Sequence, residues 1–128
     1  MKTIIILLNV TIMMVLSFNA YSNQEMMKTI EILEEKEISV ADNVNNILDN
    51  AIKKASECRD NGGDSIACMC KLRKENNALK IAVEEALEKH QNWKGKAVRY
   101  KKKNKGYVLS FTGLTNHFEY FEKECNNK

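Results

Sequence analysis

Hydrophobic residues recur every three or four positions through the first half of the chain, the spacing that lines one face of an α-helix. The pattern predicts a helix from Gln24 to Cys58, ended by the glycine-containing segment Asp60 to Asp64. One long helix fits the pattern, and so do two collinear helices broken near Ser39, where a capping-box sequence begins. The apolar positions are Met26, Ile30, Leu33, Val40, Val44, Ile47, Ala51, Ala55 and Cys58.

A second helix is predicted from about Ser65 to Lys89, with its apolar residues again on one stripe. Because only a short loop separates the two helices, we expect them to pack as an antiparallel pair. Cys68 and Cys70 are two residues apart, a rotation of about 200° around a helix axis. Their thiols should therefore leave this helix on opposite sides, and only one of them can face the first helix.

The pattern changes after His90. Apolar and polar residues alternate in two short runs, 97–100 and 107–111, on either side of a lysine-rich turn. This arrangement predicts a β-hairpin at about residues 96–111. An isolated hairpin is only marginally stable, so we expect it to pack on the helices.

A short final helix is predicted from about Leu114 to Glu124, with Phe118 and Phe121 on its apolar face. Cys125 follows this helix and could tether it to the helical pair. The predicted fold is therefore α+β and mostly α: an antiparallel helical pair, a C-terminal β-hairpin and a short final helix, held by disulfides.

The N-terminus has the features of a cleaved export signal. Lys2 provides a positive charge, residues 3–18 are apolar, and Ala20 to Ser22 places small residues before a cleavage site. The 16-residue apolar region is shorter than the roughly 20 residues that span a bilayer. We expect residues 1–22 to be removed, leaving residues 23–128 as one small domain without a transmembrane segment, in a periplasm or outside the cell.

Export changes the interpretation of the cysteines Cys58, Cys68, Cys70 and Cys125. An even number of cysteines in an exported chain favours disulfides, since oxidising compartments let them persist. Cys68-Met69-Cys70 has one residue too few for a thioredoxin-type motif, and no histidine lies at zinc-finger spacing. Among three possible pairings we favour Cys58 with Cys68 and Cys70 with Cys125; the alternative exchanges Cys68 and Cys70.

Charge is unevenly distributed along the chain. Without Lys2 there are 19 basic and 17 acidic residues, yet residues 94–105 carry seven basic residues and no acidic one. Lysines beside aromatic rings are typical of surfaces that bind phosphates, bases or lipid headgroups. The predicted anion-binding residues are Lys94, Lys96, Arg99, Lys101, Lys102, Lys103 and Lys105, with aromatic contacts from Trp93, Tyr100 and Tyr107. The alternative is a solvated hairpin whose lysines only discourage aggregation.

No catalytic, cofactor or metal-binding motif emerges from the sequence. His90 and His117 have no catalytic partner at a recognisable spacing, and His90 fits better as a residue at a helix C-terminus. Trp93 fits a packing position between helix and hairpin. We therefore predict a non-catalytic binding protein for an anionic polymer, a lipid headgroup or an acidic protein. The alternatives are a secreted effector or toxin-like protein and a small secreted hydrolase with an unrecognised site.

Removal of the export signal and oxidation of the four cysteines can be tested together on the exported protein. We expect the exported protein to begin at Asn23 and to contain no alkylatable thiol, because the signal delivers four cysteines to an oxidising compartment. Intact-mass measurement with and without reductant checks both points. Retention of residues 1–22, or four reactive thiols in the exported protein, would contradict the interpretation.

Overall fold

Four helices and a small sheet make up the part of the chain that the computed structural model describes, residues 28–126. The predicted export signal lies outside these residues. The helices are α1 (Glu35–Asp60), α2 (Ser65–Lys71), α3 (Arg73–Lys89) and α4 (Phe111–Cys125). The strands are β1 (Thr29–Glu31), β2 (Ala97–Lys102) and β3 (Lys105–Ser110). The prediction of a mostly α, disulfide-linked α+β fold is confirmed.

Helix α1 is continuous through Ser39, so the single long helix is the correct alternative. It begins later than the pattern predicts, because Thr29–Glu31 form a strand parallel to β2. β-branched Thr29 and Ile30 favour extended structure, and the apolar positions 30 and 32 fit a period of two as well as a helical stripe. Only the neighbouring strand resolves this ambiguity.

The predicted second helix is divided at Leu72. The backbone of Leu72 departs from helical geometry, with ψ of 35°, and separates the seven-residue α2 from α3. Asp64 caps α2, since its carboxylate accepts a hydrogen bond from Ala67 N at 3.1 Å. Two disulfides hold α2, and they leave the helix on opposite sides: Cys68 bonds Cys58 at the end of α1, and Cys70 bonds Cys125 at the end of α4. The favoured pairing is thereby confirmed.

The predicted β-hairpin is present, with β2 and β3 joined by a two-residue turn. Lys103 and Asn104 both have positive φ, 49° and 64°, the combination that defines the tight turn best suited to twisted strands. The final helix begins at Phe111, three residues earlier than predicted. Its start is fixed by Ser110, whose hydroxyl accepts a hydrogen bond from Gly113 N at 2.9 Å.

Helices and sheet share one hydrophobic core. The inner face of the sheet contributes Val98 and Leu109, and α3 contributes Leu79 and Val83. Trp93 is fully buried between the end of α3 and the sheet, stacked on His90 with ring centroids 4.2 Å apart. The packing role predicted for Trp93 is therefore confirmed, as is the position of His90 at the C-terminus of α3.

Removing the long-range disulfide should cost more stability than removing the short-range one. Cys70–Cys125 closes 55 residues and Cys58–Cys68 closes 10, so a chain-entropy model assigns them about 4 and about 3 kcal/mol. We expect the Cys70→Ser/Cys125→Ser variant to unfold at lower urea concentration than Cys58→Ser/Cys68→Ser. Equilibrium unfolding monitored by circular dichroism measures the difference.

Hydrogen exchange can show where the Cys70→Ser/Cys125→Ser variant loses protection. Phe111, Leu114 and Phe118 remain in the core without the disulfide, so the loss of protection should concentrate at the C-terminal end of α4. Equal loss of protection throughout α1 and α3 would contradict this expectation.

Candidate functional site

The hairpin places its basic residues in different environments. Val98 and Tyr100 face the helices, and because strand residues alternate between faces, Arg99 and Lys101 lie on the outer face. Lys103 lies in the turn, and Lys105 pairs with Lys102 across the strands. Arg99, Lys101, Lys103 and Lys105 are all exposed. We call Lys101, Lys103 and Lys105 the tip lysines.

Two of the three predicted aromatic contacts are not available on the surface. Trp93 and Tyr100 are 0 % and 1 % exposed, so their rings belong to the core and cannot stack on a ligand. Tyr107 is half-buried and stacks on Tyr100 with centroids 5.2 Å apart. The prediction of an aromatic contact surface was wrong for Trp93 and Tyr100. For Tyr100 the reason is that period-two alternation does not show which face of a hairpin is buried. Trp93 lies before the hairpin, in the 3₁₀ turn Gln91–Trp93 that packs into the core.

Lys102 differs from the tip lysines in having an acidic partner, although its side chain is still 45 % exposed. Its ammonium forms an ion pair with Asp42 of α1, whose side chain is largely buried. Tyr100 donates a hydrogen bond to Asp42 Oδ1 at 3.2 Å, and Asn46 donates to Oδ2 at 3.4 Å. These contacts tie the hairpin to α1 and give Lys102 a structural role.

The electrostatics of Asp42 follow from this arrangement. The hydrogen bond from Lys102 lowers the pKa of Asp42 below its ordinary value of 3.8, and this effect outweighs the cost of burial. Burial and the adjacent carboxylate raise the pKa of Tyr100, so the phenol keeps its proton and remains a donor. At neutral pH the Asp42 carboxylate is therefore ionised, and Tyr100 donates to it as a neutral phenol.

The two lysines that precede β2 lie apart from the tip lysines. Lys94 borders a groove between α3 and α4 whose other charged residues include Glu84, Glu119 and Glu122. Lys96 is half-buried, and its carbonyl accepts a hydrogen bond from Phe111 N at 3.0 Å. The seven-residue basic patch of the sequence is thus reduced to Arg99 and the three tip lysines.

A second feature, an apolar cleft, was not predicted. It lies between α1, α2, α3 and α4, with a volume of about 120 Å³. Asn76 lies on the wall of the cleft, and its Oδ1 is 3.1 Å from Nε2 of His117. Asn76 occupies a position on the apolar stripe of α3 between Leu72 and Leu79, and this polar interruption is the signal that could have revealed the cleft.

The two histidines lie in separate contacts. His117 contacts Asn76, and burial lowers its pKa below the usual 6.5. His90 stacks on Trp93 with its Nδ1 4.0 Å from Glu37 Oε1. Within residues 28–126, no three histidine, cysteine or acidic side chains are grouped to hold a metal ion.

The chain was compared with known proteins. No protein-family model matches it, and comparison with curated proteins and with solved structures finds no match. In the described part of the chain, none of the helices combines the length and apolar composition needed to cross a membrane.

Asp42→Asn should destabilise the protein at pH 7 by about 1 to 3 kcal/mol, because a charged acceptor of three hydrogen bonds is lost. The pKa of Asp42 is lower in the folded than in the unfolded state, so its contribution is present above pH 3.8 and is lost as pH falls through the folded value. The difference between wild type and variant should therefore shrink in strong acid. Urea unfolding between pH 7 and pH 2 measures it.

Asp49→Asn is the matched control, since Asp49 is an exposed carboxylate two turns further along α1. It should change stability by less than about 0.5 kcal/mol. An Asp42→Asn variant as stable as this control at neutral pH would show that the network does not hold the hairpin.

Proposed function

We propose that the protein is an exported, non-catalytic binding protein whose hairpin contacts an anionic partner. The observation that carries this proposal is the exposure of the three tip lysines beside Arg99 at one end of the molecule. Ammonium groups so placed can neutralise phosphate, sulfate or carboxylate groups of a polymer, a lipid surface or an acidic protein. The buried aromatic residues have no part in this contact.

The positions of nearby acidic residues favour the tip of the hairpin, and not its other end, as the part that contacts an anionic partner. Glu31 of β1 is the register partner of Arg99, so an acidic residue occupies the neighbouring strand position. Asp42 pairs with Lys102. The tip lysines extend beyond both acidic residues, since β1 ends at Glu31 and does not reach Lys101. The turn is therefore the part of the hairpin that extends away from Glu31 and Asp42.

The turn itself carries a second supporting observation. Lys103 has φ of 49°, in the left-handed region of backbone conformation. This conformation costs most residues roughly 1 to 2 kcal/mol, and it costs glycine and asparagine less. A lysine is thus held at the apex despite a conformational penalty. Such penalties concentrate at functional positions.

The disulfides support export. Both link cysteines in a small domain, and none of the described cysteines is free. Disulfides of this kind persist in oxidising compartments. Together with the N-terminal signal pattern, they favour a periplasmic or extracellular location.

Replacing the tip lysines by glutamine should weaken binding to an anionic partner while leaving the fold intact. Lys102 is spared, because its substitution would disrupt the contact with Asp42. We expect the triple variant to bind a DNA duplex and phosphatidylglycerol vesicles more weakly than wild type at low salt. For the duplex, the slope of log K against log salt should fall by up to about 2.7, since each lost phosphate contact contributes about 0.9.

A matched control separates local contact from net charge. Replacing Lys53, Lys71 and Lys74 by glutamine removes the same charge from exposed positions on the helices. This variant should retain most of the binding. If wild type binds neither probe at low salt, or if both triple variants bind alike, the tip lysines only confer solubility.

A further inference from the structure

The apolar cleft exists because two small residues face larger ones. Ala51 and Ala55 lie one turn apart on α1, and both border the cleft opposite Leu79 and Phe121. Alanine leaves space that a leucine at the same position would fill. The adjacent helices cannot close this space freely, because two disulfides hold α2 through Cys68 and Cys70.

Asn76 adds one polar group to this apolar surface. The residue is only 8 % exposed and lines the cleft. Its Oδ1 lies 3.1 Å from His117 Nε2, and because a carboxamide oxygen only accepts, Nε2 must carry the proton. This contact fixes the orientation of the amide. Among residues 28–126 no group accepts a hydrogen bond from Asn76 Nδ2.

Asn76 Nδ2 is not one of the buried side-chain atoms without a partner, which in the described part of the chain are Trp93 Nε1 and Thr112 Oγ1. This donor is therefore accessible from the cleft, where water or a ligand can accept its hydrogen bond. Ile52, which also lines the cleft, is exposed although it is large and apolar. A ligand can therefore enter it and reach the amide.

We propose that this cleft binds a small, neutral, mostly apolar molecule that carries one hydrogen-bond acceptor. The volume of about 120 Å³ is comparable with cavities that hold a single aromatic ring. No charged side chain lines the cleft, so a charged ligand would lose its hydration without compensation. The acceptor of the ligand binds Asn76 Nδ2, and the ring packs against Leu48, Ile52 and Phe121. This site is separate from the hairpin and does not depend on its function.

Two probes of equal size test the proposal: acetophenone, which has a carbonyl acceptor, and isopropylbenzene, which has none. Methyl NMR spectra of the full disulfide-bonded protein report binding through Leu48, Ile52 and Met69, which line the cleft. We expect both probes to shift these methyl signals saturably. Acetophenone should bind about fivefold more tightly, the ratio that one neutral hydrogen bond supplies.

Two variants and one control assign the interaction. Asn76→Leu should abolish the preference for acetophenone, and Ala55→Leu should weaken the binding of both probes by filling the cleft. Ala78→Leu, at an exposed position on α3, should change neither. Each variant must first show native methyl dispersion and intact disulfides.

The outcomes decide whether the cleft is a ligand-binding site or only a gap in the packing of the helices. If neither probe shifts the cleft methyl signals up to its solubility limit, the cleft is not a binding site. Equal affinities of both probes for wild type, or a preference that survives in Asn76→Leu, would overturn the role of Asn76. Because Asn76→Leu and Ala55→Leu alter different helices, failure of one to fold leaves the other test intact.

Discussion

The position of α2 between two disulfides is the constraint on which the rest of the structure depends. Cys68 and Cys70 leave this seven-residue helix on opposite sides, one bonded to the end of α1 and the other to the end of α4. A helix this short has little stability of its own. The covalent bonds therefore hold it in place, and through α2 they link the first and last helices of the described chain.

This constraint has a local consequence for the backbone. Gly63 precedes α2 and lies against the Cys58–Cys68 disulfide, where an added Cβ would be 2.8 Å from Cys58 O and would overlap Cys68 Sγ. The close approach, and not a positive φ, explains glycine at this position. The loop, the disulfide and the cap at Asp64 thus form one unit that sets the direction of α2.

The hairpin and the cleft use polar groups in opposite ways. Asp42 forms contacts with Tyr100, Lys102 and Asn46, so a buried carboxylate becomes an anchor for the hairpin. Asn76 has a partner for only one end of its amide. A network whose members all have protein partners stabilises the fold, whereas a donor without a protein partner is left for solvent or a ligand.

Sequence periodicity determined the main elements because apolar spacing reports directly which face of a helix is buried. The α1 and α3 stripes and the hairpin follow from it, and helical rotation placed Cys68 and Cys70 on opposite sides of their helix. The alternative pairing stayed open until the structure showed Cys58–Cys68 and Cys70–Cys125. The strand at Thr29–Glu31 could not be predicted, since a three-residue strand is stable only beside its partner β2.

Tertiary structure alone decided which chemistry reaches the surface. Lys102 and Lys101 are neighbours of the same type and both are exposed, yet Lys102 is paired with a carboxylate 60 residues away. Asn76 and His117 meet across 41 residues. A local sequence pattern predicts which residues of a segment are buried, but it does not show which residues they pack against. Long-range packing decides which charges are neutralised and where a cleft remains, so the candidate sites required the fold.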